Sequence, residues 1–485
     1  MSWPLYPHQQ AAIDKAAQGS LAIFHSPGLG KTRTCLEIFL RLRTPDMKLL
    51  VVCPKSLLDA AWGADIEKFT TMTWCHLKRY DRTAEVFLIN YEALIRPSGL
   101  RLLQESGLLM HSLMLVCDES SRLRNPTSHT TKTILALAAK CTHRFVCSGT
   151  PAPNGLYELW AQLRVVAPQS VHQSFWAWRR EYFHLGRNGR SMAEPPPSRR
   201  VMATLFQQGW SWQITEANRD RLLSRAMPIS HWVRKEDALN LPERIIQVRH
   251  LTLSDSEAKA YEAMRKTLVV EFQSEVITAE LALTKLMKLR QLASGFLYGA
   301  TVHRLGTSRL RLLEETLQDL GEQPIIIWAQ FHEEIEQISK LLGDRAVTFY
   351  AKTKDRAASL SAFGTTAQYL IAHPRSAGHG LTLTQSHTVV WYSLDWSLEA
   401  YSQANDRIHR IDQTRSCVYV HLIAPGRIDE HIWNVLHAKA TLQHAIDAVL
   451  GTRSRVETAD RPLPETSLAD GMGVLPHRSA ALRHP

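Results

Sequence analysis

The chain has 485 residues, 45% of them hydrophobic, which is too long for one small domain and apolar enough for two to four packed cores. No apolar run reaches the length of a membrane span, and the opening "MSWPLYPHQQ" has neither a basic nor an apolar leader region; a soluble, cytoplasmic protein is expected, nucleoid-associated in a bacterial or phage setting, with a nuclear setting left open. The net charge of +11 suits a polyanionic partner without naming it, and seven cysteines with no C-x-x-C pair suit free thiols in a reducing compartment.

In chain order, "LAIF" reads as a short buried strand, "HSPGLGKT" as a phosphate loop and "TCLEIFLRLR" as the helix after it. His25 stands where the usual G-x-x-x-x-G-K-[ST] pattern begins with glycine, while the parts that hold phosphate are present. Gly28 and Gly30 permit close backbone approach, Lys31 supplies a cation and Thr32 a metal-facing hydroxyl. "LLVVC", "VFLIN", "LMLVCDESS" and "HRFVCSG" continue the strands and alternate with helical patterns, which predicts a parallel α/β sheet with ligand loops at the strand C-termini. Asp118 ends one such run as a candidate metal-holding acid, and Glu119 is placed to orient or deprotonate an attacking water. "CTHRFVC" can be drawn as a metal site, but a strand whose cysteines pack inward explains it with less.

Residues from about Leu156 to Arg234 are rich in tryptophan and arginine and are interrupted by "EPPPSRR", which reads as a helical insertion with a basic, proline-rich loop. "LSDSEAKAYEAMRKTL" opens like a capped helix, with Ser254 at the N-cap and Glu257 three residues on. A second strand series follows: "IIIWAQF", "AVTFYA", "QYLIAH", "TVVWYS" and "CVYVHLIA". Two α/β lobes are the economical reading. In "QANDRIHRIDQT" the spacing of Gln403, Arg407 and Arg410 puts all three on one helical face, suited to the charge that builds on a transferring phosphoryl group; an exposed, salt-bridged surface is the plainer alternative. The expected division is residues 1–240 (insertion about 156–234), 241–451 (helical region about 254–300) and a disordered tail at 452–485.

The order "YPHQ", "PGLGKT", "VVCPKSLL", "INYEAL", "VCDESSRLRNP", "SGTPAPN", "LRQLASG", "IIIWAQF", "AGHGLTLTQSHTVVWYSLDWS" and "QANDRIHRIDQ" resembles the Swi/Snf-like ATPases of helicase superfamily two, as a compact, prokaryotic or phage type, from about Leu5 to about Leu442. In that family the first position of the phosphate loop is commonly not glycine. The resemblance implies two RecA-like lobes with helical insertions, ATP and Mg²⁺ as cofactors, and double-stranded DNA as partner. It implies that Gln9 reads adenine and that Lys31, Thr32, Asp118 and Glu119 hold ATP, Mg²⁺ and the attacking water. Ser148, Gly149, Thr150 and Gln403 would couple the nucleotide site to the DNA track; Gly380, Arg407 and Arg410 would close the second lobe over ATP. Lys55, Ser56 and the loop near "AQF" would touch a DNA backbone, and Trp396 matches a position near the lobe interface.

Two departures stand out. Ser121 takes a position where the family often has histidine, and Asp412 one where glycine is frequent. The implied activity is that of a DNA-dependent ATPase moving along a duplex and displacing or remodelling DNA-bound protein. A strand-separating DNA or RNA helicase, and an ATP-controlled clamp that does not translocate, are the rival readings. Arg187, Arg190, Arg199 and Arg200 are candidates for an extra DNA grip, with an aromatic core stripe and a solvated loop as the alternative.

Overall fold

The computed structural model of the chain describes residues 4–187, 190–192, 211–273, 279–377, 381–411 and 413–453. The five apolar runs of the first third become β1 (Leu21–His25), β2 (Met47–Cys53), β4 (Val86–Asn90), β5 (Ser112–Asp118) and β6 (His143–Cys147), and a short β3 (Trp74–His76) joins them. The insertion contributes β7 (Phe183–Arg187), β8 (Arg190–Met192), β9 (Ser211–Ile214) and β10 (Ser230–Val233). The main sheet runs β10-β1-β6-β5-β2-β4-β3 with every pairing parallel.

Such strands are covered on both sides, so they read as unbroken apolar runs rather than alternating ones. Phe24, Val52 and Leu115 face one core and Ile23, Val51 and Val116 the other, all almost fully buried. Because β1, β6 and β5 are neighbours, the loops at their C-terminal ends gather at one edge. Those loops carry the phosphate loop, the Ser148–Thr150 turn and the Asp118–Glu119 pair.

The second lobe comprises β11 (Arg244–His250), a β12 (Phe296–Tyr298) and β13 (Val302–Arg304) hairpin, β14 (Ile325–Trp328), β15 (Ala346–Phe349), β16 (Tyr369–Ala372), β17 (Thr388–Trp391) and β18 (Cys417–Ile423). Its sheet is also parallel, ordered β11-β18-β17-β14-β16-β15. Ile326, Leu370 and Val389 bury one face, and Ile327, Ile371 and Val390 the other. Ser254 and Glu257 cap the helix Asp255–Gln273: the Ser254 amide donates to Glu257 Oε2 at 2.8 Å.

The expected helical insertion needs correcting. Beyond the helices Leu159–Val166, Phe175–Tyr182 and Glu216–Ala226 it holds an antiparallel sheet in the order β8-β7-β9, and β10 leaves it to pair with β1. The physical reason is coverage: Trp178, Tyr182 and Phe183 are buried in the first lobe's core, and Leu185 on the same sheet is buried as well. The aromatic stripe is thus mostly core, with Trp176 exposed and Arg179 stacked 4.1 Å from its ring and 3.8 Å from that of Trp212. Arg199, Arg200, Gly380, Asp412 and 454–485 lie outside the described residues, as do the side chains of Arg187 and Arg190; the last helix, Ile428–Arg453, extends past the expected start of the tail. Among the described residues no helix is long and apolar enough to cross a membrane.

Candidate active site

β1 delivers the chain into a loop whose Gly28 (φ 85°) and Gly30 (φ 70°) adopt the left-handed region, and the helix Lys31–Leu42 starts directly after it. Lys31 Nζ donates to the carbonyl of His25 at 3.1 Å, folded back on its own loop. The His25 ring points away from the loop's mouth: its Nε2 lies 2.8 Å from His231 Nδ1 on β10, and its edge meets His8 at 5.6 Å between centroids. Burial, with His231, His8 and Lys31 nearby, holds the His25 imidazole well below its ordinary pKa, so it is neutral. A side chain replaces the missing glycine because this position faces the core.

Gln9, buried on the first helix Pro7–Ala16, accepts from the Tyr6 amide at 3.0 Å and donates to the Gly30 carbonyl at 3.3 Å. Its amide is engaged with the loop backbone. A Cβ on Gly30 would come within 2.5 Å of Gln9 Nε2, so a side chain there must displace the Gln9 amide in addition to adopting the left-handed φ.

Asp118 ends β5, buried, with Oδ2 accepting from Trp62 Nε1 at 3.0 Å and Oδ1 from the Glu119 amide at 2.9 Å. Glu119 is the one non-glycine among the described residues with positive φ, 49°. That turn aims its carboxylate inward, where Oε2 is buried without a hydrogen-bond partner. Burial pushes the Glu119 carboxyl up to about 8; Lys31 and Arg407 oppose the shift, and Asp118 and Glu399 add to it. Burial likewise raises Asp118, with Lys31 opposing.

A cavity of about 390 Å³ opens between Lys31, Thr32, Asp118 and Glu119 on one side and Gln403, Arg407 and Arg410 on the other. Here the expectation of one continuous helix fails. The helix Leu398–Asn405 stops before the arginines, which follow on turns, and Asp406 between them is held by two cations. Both arginines still line the cavity. Arg407 donates to the carbonyls of Gln403 at 2.9 Å and Leu381 at 3.0 Å, and burial, reinforced by Arg410, lowers its pKa to about 10. Arg410 donates to Thr382 Oγ1 at 2.7 Å, and its Nε lies 4.0 Å from where a Cβ on Gly28 would be.

Two residues escaped the sequence reading. Lys235 Nζ pairs with Asp406 Oδ1 at 2.7 Å, both nearly fully buried, and Arg244 reaches the same oxygen at 3.1 Å. The only local signal is a lysine directly after the strand "SHWV" and its arginine, and an aspartate directly before Arg407.

A larger cleft of about 1090 Å³ lies beside this cavity, with Lys55, Ser56, Lys78, Arg96 and Arg122 on the first lobe and Arg356 and Arg375 on the second. The second-lobe wall comes from the first residues of the helices Arg356–Ala362 and Pro374–Ala377 and from one side of the helix Leu398–Asn405; the "AQF" turn is not part of it. Glu119 and Gln403 line both spaces. Ser121 Oγ donates to Glu399 Oε1 at 3.1 Å, so serine makes an interlobe contact. The Ser148–Thr150 turn is pinned by Ser148 N to the Ile23 carbonyl at 3.2 Å, and a Cβ on Gly149 would meet Pro27 at 2.8 Å. Trp396 packs on its own lobe, edge-on to His431 at 5.5 Å.

The family model of the SNF2-related domain matches residues 11–294, and that of the helicase conserved C-terminal domain matches residues 308–412. Putative protein p41 of Acyrthosiphon pisum secondary endosymbiont phage 1 is 24% identical over 461 residues, covering 86% of this chain and 92% of its own. The SWI/SNF-related matrix-associated actin-dependent regulator of chromatin subfamily A-like protein 1 of Drosophila melanogaster is 23% identical over 445 residues, 90% of this chain. The chain spans 55% of that relative's length. The Sulfolobus solfataricus SWI2/SNF2 ATPase core, solved in complex with dsDNA, is 21% identical and covers 94% of this chain and 96% of its own, with a TM-score of 0.39.

Proposed function

Because the chain belongs to the SNF2-related family of helicase-core ATPases, we propose that it is an ATP-driven motor that moves along double-stranded DNA and displaces or remodels protein bound there. The observation that carries this reading is the shared wall: Glu119 and Gln403 line both the nucleotide cavity and the basic cleft. A change at the γ-phosphate is thereby one side chain away from the track.

The chemistry follows from the residues present. Lys31 exchanges its bond to the His25 carbonyl for the β- and γ-phosphates of ATP, helped by the amides of the left-handed loop and the helix N-terminus. Glu119, with an orphaned oxygen and a raised pKa, orients the attacking water and takes its proton. Arg407 and Arg410 meet the charge that builds on the phosphoryl oxygens, an effect worth roughly 10³ to 10⁵ in rate in this class of reaction. Thr32 and Asp118 offer the hard oxygen donors that suit Mg²⁺, which when bound neutralises phosphate charge.

Cleft cations supplied by both lobes favour phosphate contact over base reading, so binding is indifferent to sequence and falls steeply with salt. The test compares ATP turnover without nucleic acid and with single-stranded DNA, duplex DNA or RNA, and pairs it with triplex displacement and strand-separation assays. Duplex stimulation with triplex displacement and no strand separation is expected. Efficient unwinding without triplex displacement favours the helicase, and tight DNA binding with hydrolysis but neither movement favours the clamp.

A further inference from the structure

β10 runs beside β1 in register, His25 opposite Val233, and the Ser26 amide donates to the Val233 carbonyl at 3.0 Å. The strand next to the phosphate loop therefore ends at the loop itself. Two residues on, Lys235 crosses above Gly28: a Cβ there would lie 3.7 Å from Lys235 Cε and 3.8 Å from its Nζ. The lysine then ends on Asp406 Oδ1 at 2.7 Å, in the other lobe.

Asp406 is a sensitive place to be held. It follows the helix Leu398–Asn405, its amide donates to the Ser402 carbonyl at 2.9 Å, and the next residue is Arg407. Arg244 also binds Asp406, but from the second lobe's own sheet. Arg244 Nε reaches His409 Nδ1 at 3.0 Å, and His409 Nε2 reaches the Pro242 carbonyl at 2.8 Å, so that side of the turn is tied within its lobe. Of the two cations on Asp406, Lys235 is the one that leads back to the strand beside the phosphate loop.

We infer that Lys235 is a positioning residue for ATP hydrolysis: through Asp406 it sets the turn bearing Arg407 and Arg410 over the phosphate loop when the lobes close. This rests on the ATPase reading above. Lys235 lines a separate crevice behind Gly28, not the nucleotide cavity, so its effect falls on turnover rather than on nucleotide affinity. Removing it leaves Asp406 compensated by Arg244, so the lobe retains a partner for the buried carboxylate.

The experiment uses the full chain carrying Lys235→Met, Lys235→Arg, Asp406→Asn and the Lys235→Met/Asp406→Asn double variant. ATP turnover is measured at saturating duplex DNA, with melting temperature and a fluorescence distance between the lobes with and without a non-hydrolysable ATP analogue. Lys235→Met is expected to lower kcat at least tenfold with KM for ATP changed less than threefold, and to weaken analogue-driven lobe closure. Lys235→Arg should restore most of kcat, and Lys235→Met should add little in the Asp406→Asn background. Overturning results are an unchanged kcat, a loss of ATP affinity with kcat preserved, an effect fully additive with Asp406→Asn, or a loss that tracks melting temperature alone. A wild-type chain that fails to hydrolyse ATP with any nucleic acid instead overturns the function on which the inference stands.

Discussion

Glu119 shows how one residue trades stability for chemistry. A left-handed backbone and a buried oxygen without a partner are both costs, and both place a carboxylate at the cavity wall. Glu119→Gln is expected to bind ATP normally and to lose about 10² to 10⁴ in turnover, the range of a general base; near-normal turnover in a steady-state assay removes Glu119 from that role. The sign of its pH dependence follows from the raised pKa. The native state holds the proton up to about 8 and the unfolded chain releases it near the ordinary glutamate value of 4.5, so Glu119 lowers stability progressively as pH rises between them. Glu119→Gln should therefore raise the melting temperature most above pH 8 and have little effect near pH 4. Turnover of the native enzyme at low ATP should climb through the same window, and this limb should vanish in the variant. The acids and the phosphate loop were legible because each is a local string with its own backbone chemistry. Lys235 and Asp406 were not, since a pair 171 residues apart leaves no periodicity to read.

Among the elements, the ten apolar runs all became strands because parallel strands buried on both faces advertise themselves. β10 was missed, being four residues long with only Ser230 and Trp232 buried, and it is the strand that brings His231 and Lys235 to the loop. The sheet of β7–β9 was missed for a related reason: its pairing spans the proline-rich stretch, and strands of three to five residues carry little signal alone. The helix expected through Arg410 ended at Asn405, where the next residue, Asp406, is engaged by Lys235 from the other lobe. The phosphate loop gives an element-level prediction through two glycines of nearly equal φ. Gly107 (φ 71°) has nothing within 4 Å of an added Cβ, whereas Gly30 (φ 70°) has Gln9 Nε2 at 2.5 Å. Gly107→Ala should cost only the left-handed penalty of about 1 to 2 kcal/mol. Gly30→Ala should cost more and also abolish ATP binding, because Gln9 must leave its bond to the Gly30 carbonyl; denaturant titration and nucleotide titration separate the two effects, and equal destabilisation would mean that the Gln9 contact does not hold the loop.

At the scale of the whole molecule, two lobes were readable from the repetition of strand series, but the wall shared by the cavity and the cleft was not. It depends on Glu119 from one lobe and Gln403 from the other lining the same two spaces. A motor with one grip on each lobe must release them in turn, so removing a single grip should affect movement more than hydrolysis. Lys55 on the first lobe and Arg375 on the second are suitable grips to test, since both line the cleft. Arg375 pairs with Asp395 at 2.9 Å, and Arg290 stands 3.4 Å from the same aspartate, so Arg375→Ala does not strand a carboxylate. Deleting one cation that neutralises a phosphate should reduce the slope of log affinity against log salt by about 0.9. Lys55→Ala and Arg375→Ala should each raise the duplex concentration needed for half-maximal ATPase stimulation and flatten that slope by about this amount. Triplex displacement should fall several-fold further than ATP turnover at saturating duplex in either variant, because one lobe then slips while the other steps. An equal fall in both measurements would mean the cleft serves only to switch hydrolysis on, and unchanged salt dependence in both variants would move the DNA track to another face of the protein.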